Sequence, residues 1–335
     1  MTQSIPPTGS ALVLQSYAPE PFAVTLETLP MPQPGKDELL VQVLASPINP
    51  SDLMFLQGMY GVRKPLPCVP GFEAAARVVA VGEGVDSAWI GRRVACFAAH
   101  SSGAWATHMV THVSTCFPVD DRISDEQAAL ALVNPLTAIA LVEQALQAGA
   151  TAIVQTAAGS ALGRMIERLA TAHGIAVINV VRRAEQAAEL QAAGSAHVLD
   201  NSDTTFDGRL RLVCRDLNAR LAFDAVGGEL TGQLLRALPN GGKVTVYGGL
   251  ALQPCSVPVD QLIFKQKSVD GFWLSQWLRI TPHAEQQAAW TAVQPQLSDT
   301  LRSDVRARYG LSDAALALGE YNAQMSGGKV LFVPV

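Results

Sequence analysis

Short runs of mostly apolar residues, separated by stretches with helical character, dominate the second half of the chain. Residues 152–156 and 176–181 are such runs, and small or polar residues bound each of them. Runs of this length are typical of strands buried on both faces of a sheet. Helices are predicted to follow at 160–173 and 185–193. Further strands are predicted at 197–200, 221–226, 243–247 and 269–274. Strands and helices that alternate at this spacing predict an α/β fold with a doubly wound parallel sheet.

The first part of the chain has a different pattern, rich in strands and turns. Residues 39–45 and 76–82 are strand-like runs bounded by Gly, Pro and Asp, and a helix is predicted to begin near Ser124. The chain ends in another strand, 329–333, which we expect to return to the N-terminal β-rich part. A chain of this length is expected to form two domains. The predicted bounds are 1–120 with 275–335 for a discontinuous β-rich catalytic domain and 121–274 for a dinucleotide-binding domain.

The composition favours a well-buried globular enzyme. Of the 335 residues, 49% are hydrophobic and 16% are charged, and the net charge is −5. This charge gives no electrostatic basis for binding nucleic acid or an anionic membrane, and no apolar run reaches membrane-spanning length. The five cysteines are scattered, which is not the pattern of a disulfide framework. Because the N-terminus also lacks the apolar core of a signal peptide, we expect a cytoplasmic protein.

The turn after the first strand of the second domain has the composition of a phosphate-binding loop. A dinucleotide fingerprint has glycine at three positions, which are occupied here by Ala158, Ser160 and Gly163. Small residues still let the backbone approach a pyrophosphate, and the next helix offers its N-terminal N–H groups. The same sequence would also serve a tight strand–helix turn without a ligand.

Two arginines, Arg182 and Arg183, follow the second strand of that domain. An NAD-dependent enzyme carries an acidic residue at about this point, which accepts a hydrogen bond from the ribose 2′-hydroxyl. Arginine cannot accept that bond, but it pairs well with a 2′-phosphate. The sequence therefore predicts NADPH as the cofactor. The alternative is that both arginines are solvated charges at the start of a helix.

A discontinuous β-rich domain combined with a Rossmann domain resembles the medium-chain dehydrogenase/reductase superfamily, whose β-rich domain is GroES-like. Zinc-dependent members have a ligand cysteine where this chain has Asn49, and Gly-His-Glu where it has Gly71-Phe72-Glu73. A zinc site needs Cys, His or carboxylate ligands in tetrahedral reach, and two of the usual three are replaced here. His108 and His112 have a ligand-like spacing, but we expect them to be surface residues. We therefore predict no metal.

Within that superfamily, the chain resembles the 2-enoyl thioester reductases, and quinone oxidoreductases are wider relatives. The motifs that carry the resemblance are 48–52, 57–61, 133–138, 247–249 and 271–277, the last of which reads Gly-Phe-Trp-Leu-Ser-Gln-Trp. The resemblance implies NADPH-dependent reduction of the C=C bond of trans-2-enoyl thioesters carried on CoA or acyl carrier protein. Arg63 and Lys64 are candidates for a basic rim facing an acidic carrier, or else solvated loop charges.

The resemblance also implies roles for particular residues. Tyr60 would be the catalytic acid, because hydride addition to the β-carbon of an enoyl thioester produces an enolate that needs a donor. Trp273 would also line the acyl pocket, unless it only packs in the core. The implied cofactor contacts are Asn134, Gly159, Ser160, Ala161, Leu162, Arg182, Arg183, Tyr247, Gly248, Gly249, Leu250, Phe272, Trp273, Leu274 and Lys329.

Two other functions stay open from the sequence. One is reduction of quinones or free α,β-unsaturated carbonyls by the same hydride route, for which Tyr60 is not required. The other is a non-catalytic regulatory protein that binds NADPH. The resemblance further implies a homodimer formed by pairing of sheet edges close to 269–274.

Overall fold

The computed structural model describes residues 5–20 and 22–334. Over these residues the chain divides into two compact units. Unit 1 comprises the chain up to Asn134 together with the chain from Trp290 onwards, and unit 2 is Pro135–Ala289. Unit 1 is rich in strands, and unit 2 alternates strands with helices. The predicted α/β fold, a Rossmann sheet with a discontinuous GroES-like domain, is confirmed.

Unit 1 is built from strands joined by turns and short helices. Its elements are β1 Thr8–Ser16, β2 Ala23–Pro30, β3 Glu38–Pro47, α1 Pro50–Leu56, β4 Glu73–Val81, β5 Arg93–Phe97, β6 His108–His112, β7 Cys116–Pro118, α2 Asp125–Ala129, β14 Val305–Tyr309, α11 Ala314–Ala323 and β15 Lys329–Phe332. Short 3-10 turns lie at Ser87–Trp89, Val113–Thr115, Gln294–Gln296 and Leu311–Asp313.

The main sheet of unit 1 has the strand order β14-β15-β3-β4-β5-β7, and β6 also pairs with β3. Strand β15 lies antiparallel to β3, with Leu331 opposite Pro47. The expected return of the C-terminal strand is therefore confirmed. A core of large side chains supports this arrangement, in which the Trp105 ring lies 5.1 Å from the Phe332 ring. The burial of such rings stabilises the contact between these distant parts of the chain.

Unit 2 is formed by a sheet with its associated helices. The elements that lie wholly or mostly in it are α3 Val133–Gln147, β8 Ala152–Gln155, α4 Ala161–Ala172, β9 Ala176–Val181, α5 Ala184–Ala192, β10 His197–Asp200, α6 Phe206–Asp216, β11 Leu221–Asp224, α7 Glu229–Ala237, β12 Lys243–Val246, α8 Val259–Ile263, β13 Ser268–Gly271, α9 Leu274–Ile280 and α10 His283–Val293. The strand order is β10-β9-β8-β11-β12-β13, and neighbouring strands are parallel.

The order of strands reverses at β8, which lies between β9 and β11. The carboxyl ends of parallel strands share one edge of a sheet, and ligands bind at such switch points. Strand β8 is fully buried, as its mostly apolar sequence predicts.

The prediction of a strand over 269–274 is wrong at its C-terminal end. Strand β13 ends at Gly271, and Trp273 is the N-cap of α9. Aromatic residues favour strands, but here the sheet ends after the Val246–Gly271 pair, and the chain turns into a helix. Tertiary context has overridden local propensity.

No helix in the described residues combines the length and the apolar character that crossing a membrane requires.

Candidate active site

Tyr60 lies in a loop of unit 1 that follows α1. We call residues 57–64 the Tyr60 loop. The side chain of Tyr60 is half-buried, and its ring centroid lies 5.0 Å from that of Phe72 at an interplanar angle of 39°. Both rings pack against the apolar core of unit 1. The loop therefore places a phenol at the border between an apolar core and the protein surface.

A buried polar cluster lies in the same unit and consists of Asn49, Asp52, Glu73 and Lys329. The Asn49 side-chain amide donates to Glu73 Oε1 over 2.9 Å, and the Asn49 backbone N–H donates to Asp52 Oδ2 over 2.8 Å. The Lys329 ammonium donates to Asn49 Oδ1 and to the Ile48 carbonyl. Asn49 therefore connects both acids to the base.

Burial raises the pKa of Asp52 to about 7; the Asn49 N–H opposes this shift, and the charge of Glu73 adds to it. Burial also raises the pKa of Glu73, against hydrogen bonds from the Val133 N–H and the Asn49 amide. Burial lowers the pKa of Lys329 to about 8, although both carboxylates favour its charged form. For each of the three groups, desolvation by burial is therefore the largest cause of its pKa shift.

The replaced zinc-ligand positions belong to this polar cluster and its surroundings. Asn49 bonds to Glu73, and Phe72 packs on the ring of Tyr60. His108 is half-buried and His112 is exposed. Among the described residues, no group of three or more His, Cys, Asp or Glu side chains is arranged to hold a metal ion.

Two predicted cofactor contacts, Asn134 and Lys329, also lie in unit 1. Asn134 is half-buried and is the second residue of α3. Glu73 Oε2 accepts the N–H of the preceding Val133 over 2.9 Å and so holds the start of that helix. Lys329 is only 3% exposed, and its ammonium bonds within the buried polar cluster. Its role as a cofactor contact stays a prediction.

The two basic residues of the Tyr60 loop are engaged in contacts with their own unit. Arg63 donates to the Gly58 carbonyl from both Nη2 and Nε. The Lys64 ammonium donates to the Ser102 carbonyl, and burial lowers its pKa. Both side chains therefore help to fold the loop.

The predicted phosphate loop of unit 2 is a tight turn between β8 and α4. Ala157 adopts a left-handed backbone with φ 49°, which is rare for a residue with a side chain. Ser160 is the N-cap of α4, and its Oγ accepts the Gly163 N–H over 3.0 Å. A Cβ at Gly163 would lie 2.6 Å from the Ala158 carbonyl oxygen, so helix and strand approach too closely for any side chain.

Gly159, by contrast, has room around its Cα. A Cβ built there meets only Gln186 Nε2, at 3.8 Å. Because Gly163 is required by packing and Gly159 is not, the small residue at 159 is consistent with access for a ligand. Ala161 and Leu162 form the first turn of α4, whose free N–H groups favour an anion. These features fit a pyrophosphate.

Arg182 and Arg183 directly follow β9 and are both exposed. Arg183 is the N-cap residue of α5. Neither arginine forms a salt bridge within the described residues. Unpaired guanidinium groups at the edge of the sheet fit the 2′-phosphate of NADPH.

The remaining predicted contacts follow β12 and β13. A Cβ at Gly248 would lie 2.6 Å from the Ala225 carbonyl oxygen, so the chain after β12 requires glycine. Tyr247 Oη is buried without a hydrogen-bond partner in the described residues. A buried phenol of this kind ordinarily bonds to something. Trp273 is 38% exposed. The other residues of this group, Gly249, Leu250, Phe272 and Leu274, lie in the same two segments.

The predicted site residues thus lie in two groups. In unit 2, they follow β8, β9, β12 and β13, whose carboxyl ends lie at one edge of a parallel sheet. In unit 1, Tyr60, Asn134 and Lys329 lie around α1 and the buried polar cluster. Sequence reasoning missed Asp52 as a member of that cluster. A charged residue at the third position of a short helix looks like an ordinary capping residue, and only its burial shows otherwise.

Known proteins resemble this chain in both sequence and structure. The model of an alcohol dehydrogenase GroES-like domain matches residues 35–121, and that of a zinc-binding dehydrogenase matches residues 161–293. The mitochondrial enoyl-acyl-carrier-protein reductase of Arabidopsis thaliana is 33% identical over 81% of this chain and 74% of its own length. The human protein of the same name is 35% identical over 80% of this chain and 73% of its own length.

A solved structure from Mesorhizobium loti, provisionally classed as an NADPH:quinone reductase, is 33% identical. It covers 99% of this chain and 100% of its own with a TM-score of 0.92. At these identities and coverages, the fold and the family are shared. The chain therefore belongs to the medium-chain dehydrogenase/reductase superfamily of oxidoreductases.

Proposed function

We propose that this chain reduces the C=C bond of trans-2-enoyl thioesters with NADPH. The observation that carries the proposal is the half-buried Tyr60, packed on Phe72 where a zinc-dependent relative has a ligand histidine. The likeness to proteins named enoyl-acyl-carrier-protein reductase supports it over about four fifths of the chain. The thioester would be carried on CoA or on acyl carrier protein.

The residues of unit 2 would hold the cofactor. NADPH, when bound, supplies the hydride that reaches the β-carbon of the substrate. The small residues at 159–162 and the start of α4 would receive the pyrophosphate, and Arg182 and Arg183 the 2′-phosphate. The segments 247–250 and 272–274 would border the nicotinamide half.

Tyr60 would supply the proton or the hydrogen bond. When a hydride adds to the β-carbon, negative charge develops on the thioester oxygen, and the α-carbon must then take a proton. A phenol ordinarily titrates near pH 10, so it is protonated at neutral pH and can donate to the enolate directly or through water. Packing against Phe72 partly excludes water from the phenol ring, which strengthens such a hydrogen bond.

The second candidate is quinone reduction by the same hydride route. It is favoured by the 33% identity to the Mesorhizobium loti protein over nearly the whole chain. A quinone accepts its proton on oxygen from any nearby donor, so this reaction does not require Tyr60. An NADPH-binding protein without catalytic activity would turn over neither acceptor.

A parallel assay separates these candidates. NADPH oxidation is followed with the wild-type protein and either a short trans-2-enoyl-CoA or a simple benzoquinone, each at saturating concentration. We expect turnover of the thioester. Turnover of the quinone alone would support the second candidate, and NADPH binding without turnover of either acceptor would support a regulatory role.

We also propose that the chain forms a homodimer through the β13 edge of unit 2. Strand β13 is the last in the strand order, and α8 together with the residue that ends it exposes large apolar side chains. Val259, Ile263 and Phe264 are 64%, 63% and 74% exposed. Exposed apolar patches of this kind mark interfaces. Sedimentation should show a dimer for the wild type and a monomer for Phe264→Glu; an unchanged dimer would place the interface elsewhere.

The Arabidopsis thaliana and human enoyl-acyl-carrier-protein reductases are mitochondrial by name. The cytoplasmic location of this chain stays a prediction.

A further inference from the structure

The Tyr60 loop is fastened by a tyrosine from outside it. Tyr17, which directly follows β1, donates from its hydroxyl to the Lys64 carbonyl over 2.8 Å. The same hydroxyl accepts the Lys64 backbone N–H, also over 2.8 Å. One phenol thus satisfies both the N–H and the carbonyl of Lys64 at the C-terminal end of the loop. Without Tyr17, these two backbone groups would bond to water.

The N-terminal end of the loop is fastened by Arg63. Its guanidinium donates to the Gly58 carbonyl from Nη2 over 2.6 Å and from Nε over 3.2 Å. The guanidinium carbon also lies 5.5 Å from the centre of the Tyr17 ring, within cation–π range. These bonds close the chain on itself around residues 59–62, with Tyr60 inside the closed segment.

The close approach of Tyr17 explains the glycine at 58. Gly58 has φ +71°, a left-handed conformation, and a Cβ there would lie 3.0 Å from Tyr17 Cβ and 3.3 Å from Arg63 Nη2. Glycine supplies this conformation without a steric cost. The turn, the arginine and the tyrosine therefore form one unit.

A series of ring contacts leads from Tyr17 back to Tyr60. The Tyr17 ring meets the edge of Phe55 at 5.6 Å, Phe55 meets Phe72 at 5.6 Å, and Phe72 lies 5.0 Å from Tyr60. The loop is thus held by hydrogen bonds along its backbone and by ring packing under its central side chain. Both sets of contacts restrict where the Tyr60 hydroxyl can lie.

We infer that Tyr17 and Arg63 are positioning residues for Tyr60. The inference rests on the proposed function, in which Tyr60 donates to the thioester enolate. Proton transfer depends steeply on geometry, so a small displacement of the donor lowers turnover without changing substrate affinity. The two bonds from Arg63 to the Gly58 carbonyl depend on its planar fork, which lysine does not have although it keeps the charge.

The test is a set of kinetic double-mutant cycles with a short trans-2-enoyl-CoA. Tyr17→Phe keeps the ring and removes only the hydroxyl, and Arg63→Lys keeps the charge and removes the fork. We expect each to lower kcat about fivefold to tenfold, as the loss of one or two hydrogen bonds would, with KM unchanged. Tyr309→Phe removes a hydroxyl bonded to Glu320 in the same unit and serves as the control. Its kcat should stay within twofold of the wild type.

The decisive comparison uses Tyr60→Phe as the background. If Tyr17 and Arg63 act through the Tyr60 hydroxyl, neither change lowers kcat by more than twofold once that hydroxyl is gone. If each change lowers kcat in the Tyr60→Phe background by the same factor as in the wild type, the inference is overturned. A raised KM without a fall in kcat would overturn it as well. If Tyr60→Phe alone keeps full thioester turnover, the proposed role of Tyr60 fails, and the positioning role fails with it. If it loses turnover while Tyr17→Phe and Arg63→Lys do not, only the inference fails.

Discussion

The two units position their candidate site residues in different ways. In unit 2, the backbone sets the arrangement: parallel strands end at one edge of the sheet, and a tight turn leads into the N-terminus of α4. In unit 1, side chains set the arrangement. The buried polar cluster holds the starts of α1 and α3, and Tyr17 and Arg63 close the Tyr60 loop. A backbone site tolerates sequence change where a Cβ has room, as at Gly159, but not where the backbone is crowded, as at Gly163. A side-chain site depends on particular atoms.

The largest expected effect concerns the backbone site. Gly163→Ala places a Cβ 2.6 Å from a backbone oxygen that cannot move aside, so the free energy of unfolding of unit 2 should fall by about 3 kcal/mol. Gly208→Ala is the matched control, because nothing lies within 4 Å of its Cβ and it is inside α6. There alanine should stabilise by up to about 1 kcal/mol. Equal urea midpoints for the two variants would show that the turn is not as tight as described.

A smaller effect concerns the buried polar cluster and depends on pH. The folded pKa of Asp52, about 7, lies above its ordinary value of 3.8, so the folded state binds this proton more tightly. That contribution to stability is complete below about pH 4 and is lost as the pH rises through 7. Asp52→Asn lacks it. The stability of the wild type relative to the variant should therefore fall by roughly 1–3 kcal/mol between pH 4 and pH 7, as measured by urea unfolding at each pH. A constant difference would mean that Asp52 titrates normally.

The smallest expected effect concerns Arg182 and Arg183, the two side chains that would bind the 2′-phosphate in unit 2. Arg183→Ala should raise the Kd of NADPH about tenfold, the value of one charge-assisted hydrogen bond, and leave the Kd of NADH unchanged. Arg182→Ala should do the same if both arginines contact the 2′-phosphate. Arg220→Ala removes an exposed arginine that bonds to Asn218 and should change neither Kd. An equal loss for NADPH and NADH would show that the arginines do not read the phosphate.

The difference between backbone and side-chain positioning also explains which features of the fold and of the candidate site the sequence predicts. Mostly apolar runs indicate β8, β9 and β12, and a run of small residues indicates the turn at 157–163, because these signals are local in the sequence. The segment after β13 does not follow its local sequence, since aromatic residues favour strands while the end of the sheet is set by tertiary contacts. The buried charges of Asp52 and Lys329 have no local signature. Neither does the bond from Tyr17 to Lys64, which joins residues 47 positions apart.

The most direct test of the account is the turnover of Tyr60→Phe with two acceptors. The variant keeps the ring that packs on Phe72 and loses only the hydroxyl. We predict that kcat for a short trans-2-enoyl-CoA falls by at least about a hundredfold, the usual contribution of a general acid, while any quinone turnover stays within twofold of the wild type. Thioester turnover that survives the loss of the hydroxyl would contradict the account.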